Sequence, residues 1–78
     1  MNDRRLGSRL KEIRQARGLT QAELAEQVGV SRKTINTIEN GVFIPSTLLA
    51  LGLARALGVR VEDLFYLLIE PNTDSDPA

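Results

Sequence analysis

Arg32, Lys33, Asn36 and Thr37 fall within one six-residue stretch of the chain. All four can hydrogen-bond, and two are cationic. If the stretch is helical, Ile35 and Ile38 turn one side inward and these four share the outer side. Arginine can reach O6 and N7 of guanine with two hydrogen bonds. Lysine can do the same less rigidly, or take a phosphate. Asparagine can pair with adenine or a phosphate, and the threonine methyl can meet that of thymine. The set therefore suits base edges in the DNA major groove. Thr34, beside them, reads as a backbone contact or a helix-stabilising residue.

The flanking residues position that helix. Thr20 followed three residues later by Glu23 is the capping-box signature of a helix start. Leu24, Ala25 and Val28 then share a face, and Ala25 is small where two helices would cross. Gly29 ends the helix as a left-handed cap. Ser31 caps the next one, and Gly41 ends it. Gln21 opens the first of these helices, where free backbone N–H groups suit a phosphate.

This pattern resembles the helix-turn-helix of the phage repressor/Cro-like (XRE-type) DNA-binding family, a docking mode in which the second helix enters the major groove. The matching residues are Gln21-Ala-Glu-Leu-Ala, Gly29, Ser31, Ile35, Ile38 and Glu39-Asn-Gly, within a likeness spanning about residues 6 to 65. It implies an all-α fold: a compact five-helix bundle of the phage repressor DNA-binding-domain type, with a short apolar C-terminal extension. It also implies a base-reading set of Arg32, Lys33, Asn36 and Thr37. Gln21, Thr34 and Asn40 would meet the backbone, and Gln21 would also brace the neighbouring recognition helix. Arg14 would pair with Glu39 as a structural tie between the first and third helices. Many relatives carry a basic residue after Glu-Asn-Gly; here Val42 removes that phosphate contact.

Composition narrows the alternatives. Seventy-eight residues make one small domain, and three aromatics without tryptophan leave an aliphatic core. With no cysteine or histidine there is no disulfide, thiol nucleophile or zinc finger, so no cofactor, metal or enzymatic activity is expected. No apolar run is long enough for a membrane span, and the first ten residues lack a hydrophobic signal region, which predicts a cytoplasmic protein. Net charge is zero, but residues 1–41 hold eight basic and five acidic side chains, against two and five in residues 42–78. Such segregation can steer one face towards phosphates.

Elsewhere, Leu6, Leu10 and Ile13 predict a first helix over 4–17, capped by Asn2 or Asp3. Gly7 weakens its first turn by up to about 1 kcal/mol relative to alanine. Its polar face carries Arg5, Arg9, Lys11 and Arg17, read as solvated or near the DNA backbone. Ser46 caps a fourth helix over 47–57, with Leu49, Ala50, Leu53, Ala54 and Leu57 inward by analogy with the family. Its other face, Leu48, Leu51, Gly52 and Arg55, is unusually apolar and suggests a partner. At least one of Phe43 and Ile44 should be buried beneath the preceding loop. Val59–Phe65 resembles the family's fifth helix, which implies a short helix there.

The run Leu64, Phe65, Tyr66, Leu67, Leu68 and Ile69 predicts a homodimer interface, either as an extension of the fifth helix or as a strand paired with a symmetry mate. The competing reading packs it within the chain, against the first helix. Residues 1–69 form the domain, with the helix-turn-helix at 21–40, and 70–78 an acidic disordered tail. The expected function is a transcriptional regulator that binds double-stranded DNA, a repressor acting as a dimer at a near-palindromic operator. The alternatives are a restriction–modification controller, an antitoxin-type autoregulator, and a protein-interaction module whose partner takes the C-terminal apolar run.

Overall fold

The computed structural model of the protein describes residues 6–68. Its elements are β1 (Leu6–Ser8), α1 (Leu10–Ala16), α2 (Gln21–Val28), α3 (Arg32–Glu39), α4 (Thr47–Leu57), α5 (Val61–Leu64) and β2 (Phe65–Leu67). Five helices make up most of its regular structure, as the all-α expectation requires, and a small two-stranded sheet joins its ends. No helix among the described residues is long and apolar enough to cross a membrane.

The core is aliphatic apart from one ring. Leu10, Leu24, Ala25, Ile35, Ile38, Leu53, Ala54, Leu57, Leu64 and Phe65 are buried together. Every helix contributes, so burying each apolar stripe requires all five. α2 and α3 pack closely, and α4 backs α2.

Local sequence explains most boundaries. Thr20 Oγ1 accepts from Glu23 N at 3.0 Å while Glu23 Oε1 accepts from Thr20 N at 2.8 Å, a complete capping box. Gly29 follows with φ of +77°, a left-handed conformation that costs glycine little. Ser31 and Ser46 cap α3 and α4 by accepting from Thr34 N and Leu49 N, at 3.1 Å each. α4 spans the expected residues.

Three expectations need correction. The first helix begins at Leu10, and Leu6–Ser8 is a strand. Asn2 and Asp3, its expected caps, lie outside the described residues; Ser8 Oγ instead accepts from Leu10 N at 3.2 Å. Secondly, α5 stops at Leu64, and Phe65–Leu67 pairs antiparallel with β1 of the same chain. The run therefore neither extends α5 nor leaves β2 without a partner in its own chain. Leu64 and Phe65 lie in the protomer core, so they are not surface available to a second copy. Thirdly, neither loop residue is buried: Phe43 and Ile44 are each 46% exposed. Ile69 and the tail at 70–78 lie outside the described residues.

The sheet pairs Gly7 with Tyr66. A Cβ at Gly7 would meet the outer end of the Tyr66 ring, so any side chain there must move that ring aside. The Arg9 guanidinium sits over that ring, 4.2 Å from its centroid, and Arg9 N donates to Leu64 O at 2.7 Å. Together these contacts clasp the chain just before α1 to the chain just after α5.

Candidate nucleic-acid interface

The interface is built from the back of α3 outward. Ile35 and Ile38 are buried, and Arg32, Lys33 and Asn36 are exposed. Among the described residues neither Arg32 nor Lys33 has an ion-pair partner. The helix thus presents two uncommitted cations and an amide from a rigid support.

Hydroxyl groups order its first turns. The Ser31 and Thr34 hydroxyls lie 3.0 Å apart, and Thr37 Oγ1 donates to Thr34 O at 2.9 Å. Thr34 and Thr37 are half-buried. The Thr37 hydroxyl proton is therefore used inside the helix, which leaves its methyl and an oxygen lone pair for other contacts. At the far end Asn40 is exposed, and its N–H donates to Asn36 O at 3.1 Å. Val42 N and Phe43 N both donate to Thr37 O, at 2.9 and 3.2 Å.

The structure brings Arg14, Glu39, Gln21 and Asn36 into one hydrogen-bonded chain across three helices. Arg14 Nε donates to Glu39 Oε2 at 2.6 Å and Arg14 Nη2 to Glu39 Oε1 at 3.3 Å. Arg14 Nη1 donates to Leu19 O at 2.7 Å, so the guanidinium is satisfied in three directions. Only 9% of the Arg14 side chain and 2% of the Glu39 side chain reach solvent. Gln21 Nε2 donates to Glu39 Oε1 at 3.0 Å and to Asn36 Oδ1 at 3.1 Å. Both amide protons of Gln21 are thereby engaged, and what its position leaves for an anion is the backbone N–H of the first turn of α2.

The resemblance implied that Gln21 braces the recognition helix, and its bonds to Asn36 and Glu39 of α3 do so. Which atoms it reaches, and the partner of Arg17, lay beyond the sequence reading. Gln21 and Asn36 are fifteen residues apart on different helices, so no periodicity joins them. Arg17, grouped with the solvated face of the first helix, donates from Nε to Leu57 O at 2.8 Å and so closes the end of α4. A basic residue near an exposed helix C-terminus is the physical motif, but its partner lies forty residues on.

Comparison with known proteins gives the same picture. A transcriptional regulator of the helix-turn-helix type from Methanothermobacter thermautotrophicus is 52% identical over 59 residues, covering 74% of this chain and 86% of that protein. Among solved structures, the restriction–modification controller protein C.AhdI from Aeromonas hydrophila is similar, with a TM-score of 0.67 and 36% identity, over 70% of this chain and 83% of the controller. The biofilm master regulator SinR, solved in complex with DNA, has a TM-score of 0.65 and 31% identity over 69% of this chain and 87% of SinR. The helix-turn-helix family profile (HTH_3) matches residues 10–64, and with these relatives it places the chain in the XRE-type, Cro/C1-like helix-turn-helix family of DNA-binding transcriptional regulators.

Proposed function

We propose that the protein is a cytoplasmic, dimeric repressor that recognises a near-palindromic operator by inserting α3 of each protomer into successive major grooves. The observation that carries this is the exposed set Arg32, Lys33 and Asn36 on a helix whose opposite side is sealed into the core. Half-sites one helical turn apart, about 34 Å, suit a two-fold pair. Occupying a promoter in this way excludes polymerase.

The roles divide by chemistry. Arg32 and Lys33 stand at the N-terminal end of α3, the end that faces base edges in this docking mode. Asn36 lies one turn further on, and Thr37 contributes a methyl. Gln21 through its backbone N–H, Thr34 and Asn40 meet phosphates. The dimer forms through the β2 side, where Tyr66, Leu67 and Leu68 are exposed and Ile69 continues the apolar run. A restriction–modification controller is the second reading, favoured by the similarity to C.AhdI over most of that chain; it differs in the genes regulated and shares the docking.

Selection from a randomised duplex library, followed by sequencing of the bound pool, tests the reading. A near-palindrome is expected. Arg32→Ala should then lower affinity for the selected site by about 1–3 kcal/mol and relax one position of each half-site. If Arg32→Ala and Lys33→Ala both leave affinity intact, α3 is not the reading helix.

A further inference from the structure

The hydrogen-bonded chain behind α3 has a direction. An arginine guanidinium only donates, and a carboxylate held by it only accepts. Glu39, fixed by Arg14 at 2.6 Å, therefore turns only acceptors towards Gln21. Gln21 must answer with its NH2 group, Nε2, at 3.0 Å from Glu39 Oε1. That same nitrogen lies 3.1 Å from the Asn36 side chain. Two NH2 groups cannot bond to each other, so Asn36 must face Gln21 with its carbonyl, Oδ1. Its own NH2 group, Nδ2, is turned the other way, on an exposed residue.

We propose that Arg14, Glu39 and Gln21 form a donor–acceptor relay that fixes the Asn36 amide, so that α3 offers a donor, Nδ2, to the base it meets. The inference rests on the DNA-reading role of α3. A free asparagine can flip its amide and accept as readily as it donates. Here the flipped amide would set Nδ2 against the Gln21 NH2 and leave a donor without a partner. The base opposite Asn36 must therefore bring an acceptor to the major groove: N7 or O6 of guanine, N7 of adenine or O4 of thymine. Cytosine brings only its N4 amino group, a donor, and is rejected. Gln21 and Glu39 are positioning residues in this scheme. They set specificity at a base that neither touches.

The test is library selection with the wild type and three variants: Asn36→Ala, Gln21→Met and Gln21→Lys. Asn36→Ala identifies the position read by Asn36 as the one whose preference disappears. At that position the wild type is expected to disfavour cytosine by roughly fivefold or more, the discrimination of one net hydrogen bond. Gln21→Met cannot donate, frees the amide to flip, and should admit cytosine there while other positions keep their preferences. Gln21→Lys supplies donors alone and should keep the rejection. Circular dichroism checks that each variant is folded, and the wild type with Asn36→Ala decides the base preference even if Gln21→Met is not. Cytosine accepted by the wild type, no position dependent on Asn36, or unchanged rejection in a folded Gln21→Met overturns the relay while leaving DNA reading intact. No enrichment by any of the four proteins overturns the DNA reading, and the relay with it.

Discussion

At the scale of single residues, the Arg14–Glu39 pair sets the largest energetic consequence. Both side chains are almost wholly withdrawn from water. Replacing such a pair with apolar groups of similar volume costs little, whereas removing one partner leaves the other charged and unpaired. Glu39→Ala is therefore expected to destabilise the fold by about 3–5 kcal/mol, and Arg14→Met with Glu39→Leu by clearly less. Urea unfolding of the two variants beside the wild type checks the order; a double variant at least as unstable as Glu39→Ala would contradict it. The type and spacing of Thr20, Glu23, Gly29 and Ser31 made the corner between α2 and α3 legible in the sequence, because caps and positive-φ turns are local chemistry. The family resemblance implied that Gln21 braces α3, but its particular bonds to Glu39 and Asn36 were not legible. They depend on how three helices cross, which no local pattern encodes.

At the scale of elements, the clearest difference between sequence and structure lies at Leu6–Ser8. Leu6, Leu10 and Ile13 fit a helical stripe, and a helix there would have satisfied its own backbone. β1 forms instead because Phe65–Leu67 returns beside it, about sixty residues later, with a matching register. Short strands of this kind carry little periodic signal, while α4 was readable from Ser46 and Gly58 at its ends. One substitution separates the two pictures. In a first helix, Gly7→Ala would stabilise by up to about 1 kcal/mol. In the strand, the new methyl meets the Tyr66 ring and displaces it from beneath Arg9. We expect Gly7→Ala to destabilise by about 0.5–1 kcal/mol, the worth of the exposed cation–π contact it disturbs. Thermal unfolding reads the sign directly, and a higher Tm would restore the helix. Tyr66→Ala combined with Gly7→Ala should cost less than the sum of the two single changes, since the collision is then gone.

At the scale of the whole molecule, two apolar areas compete for the second copy. One is the loop and outer side of α4, where Val42, Phe43 and Ile44 are exposed, Leu51 is 55% exposed and Leu48 is 81% exposed. The other is the β2 side, with Leu67 at 71%. Leu64 and Phe65, buried in their own protomer, contribute to neither. The β2 side has a backbone advantage: among the described residues each strand of the two-stranded sheet keeps an edge without a strand partner, and such edges template pairing with another chain. Apolar side chains beside a pairing edge give both the hydrogen bonds and the burial that association needs. Leu67 is exposed in the monomer, so Leu67→Glu should convert a sedimenting dimer to a folded monomer, with Tm lowered only by the lost, concentration-dependent stabilisation from association. Loss of the tethered second protomer should then weaken full-operator binding by about 10²–10⁴-fold, with binding to a single half-site little altered. Leu48→Glu is expected to change neither sedimentation nor operator affinity. The reverse result, a monomer from Leu48→Glu and an intact dimer from Leu67→Glu, would move the two-fold axis to α4. That would free the β2 edge for a different chain.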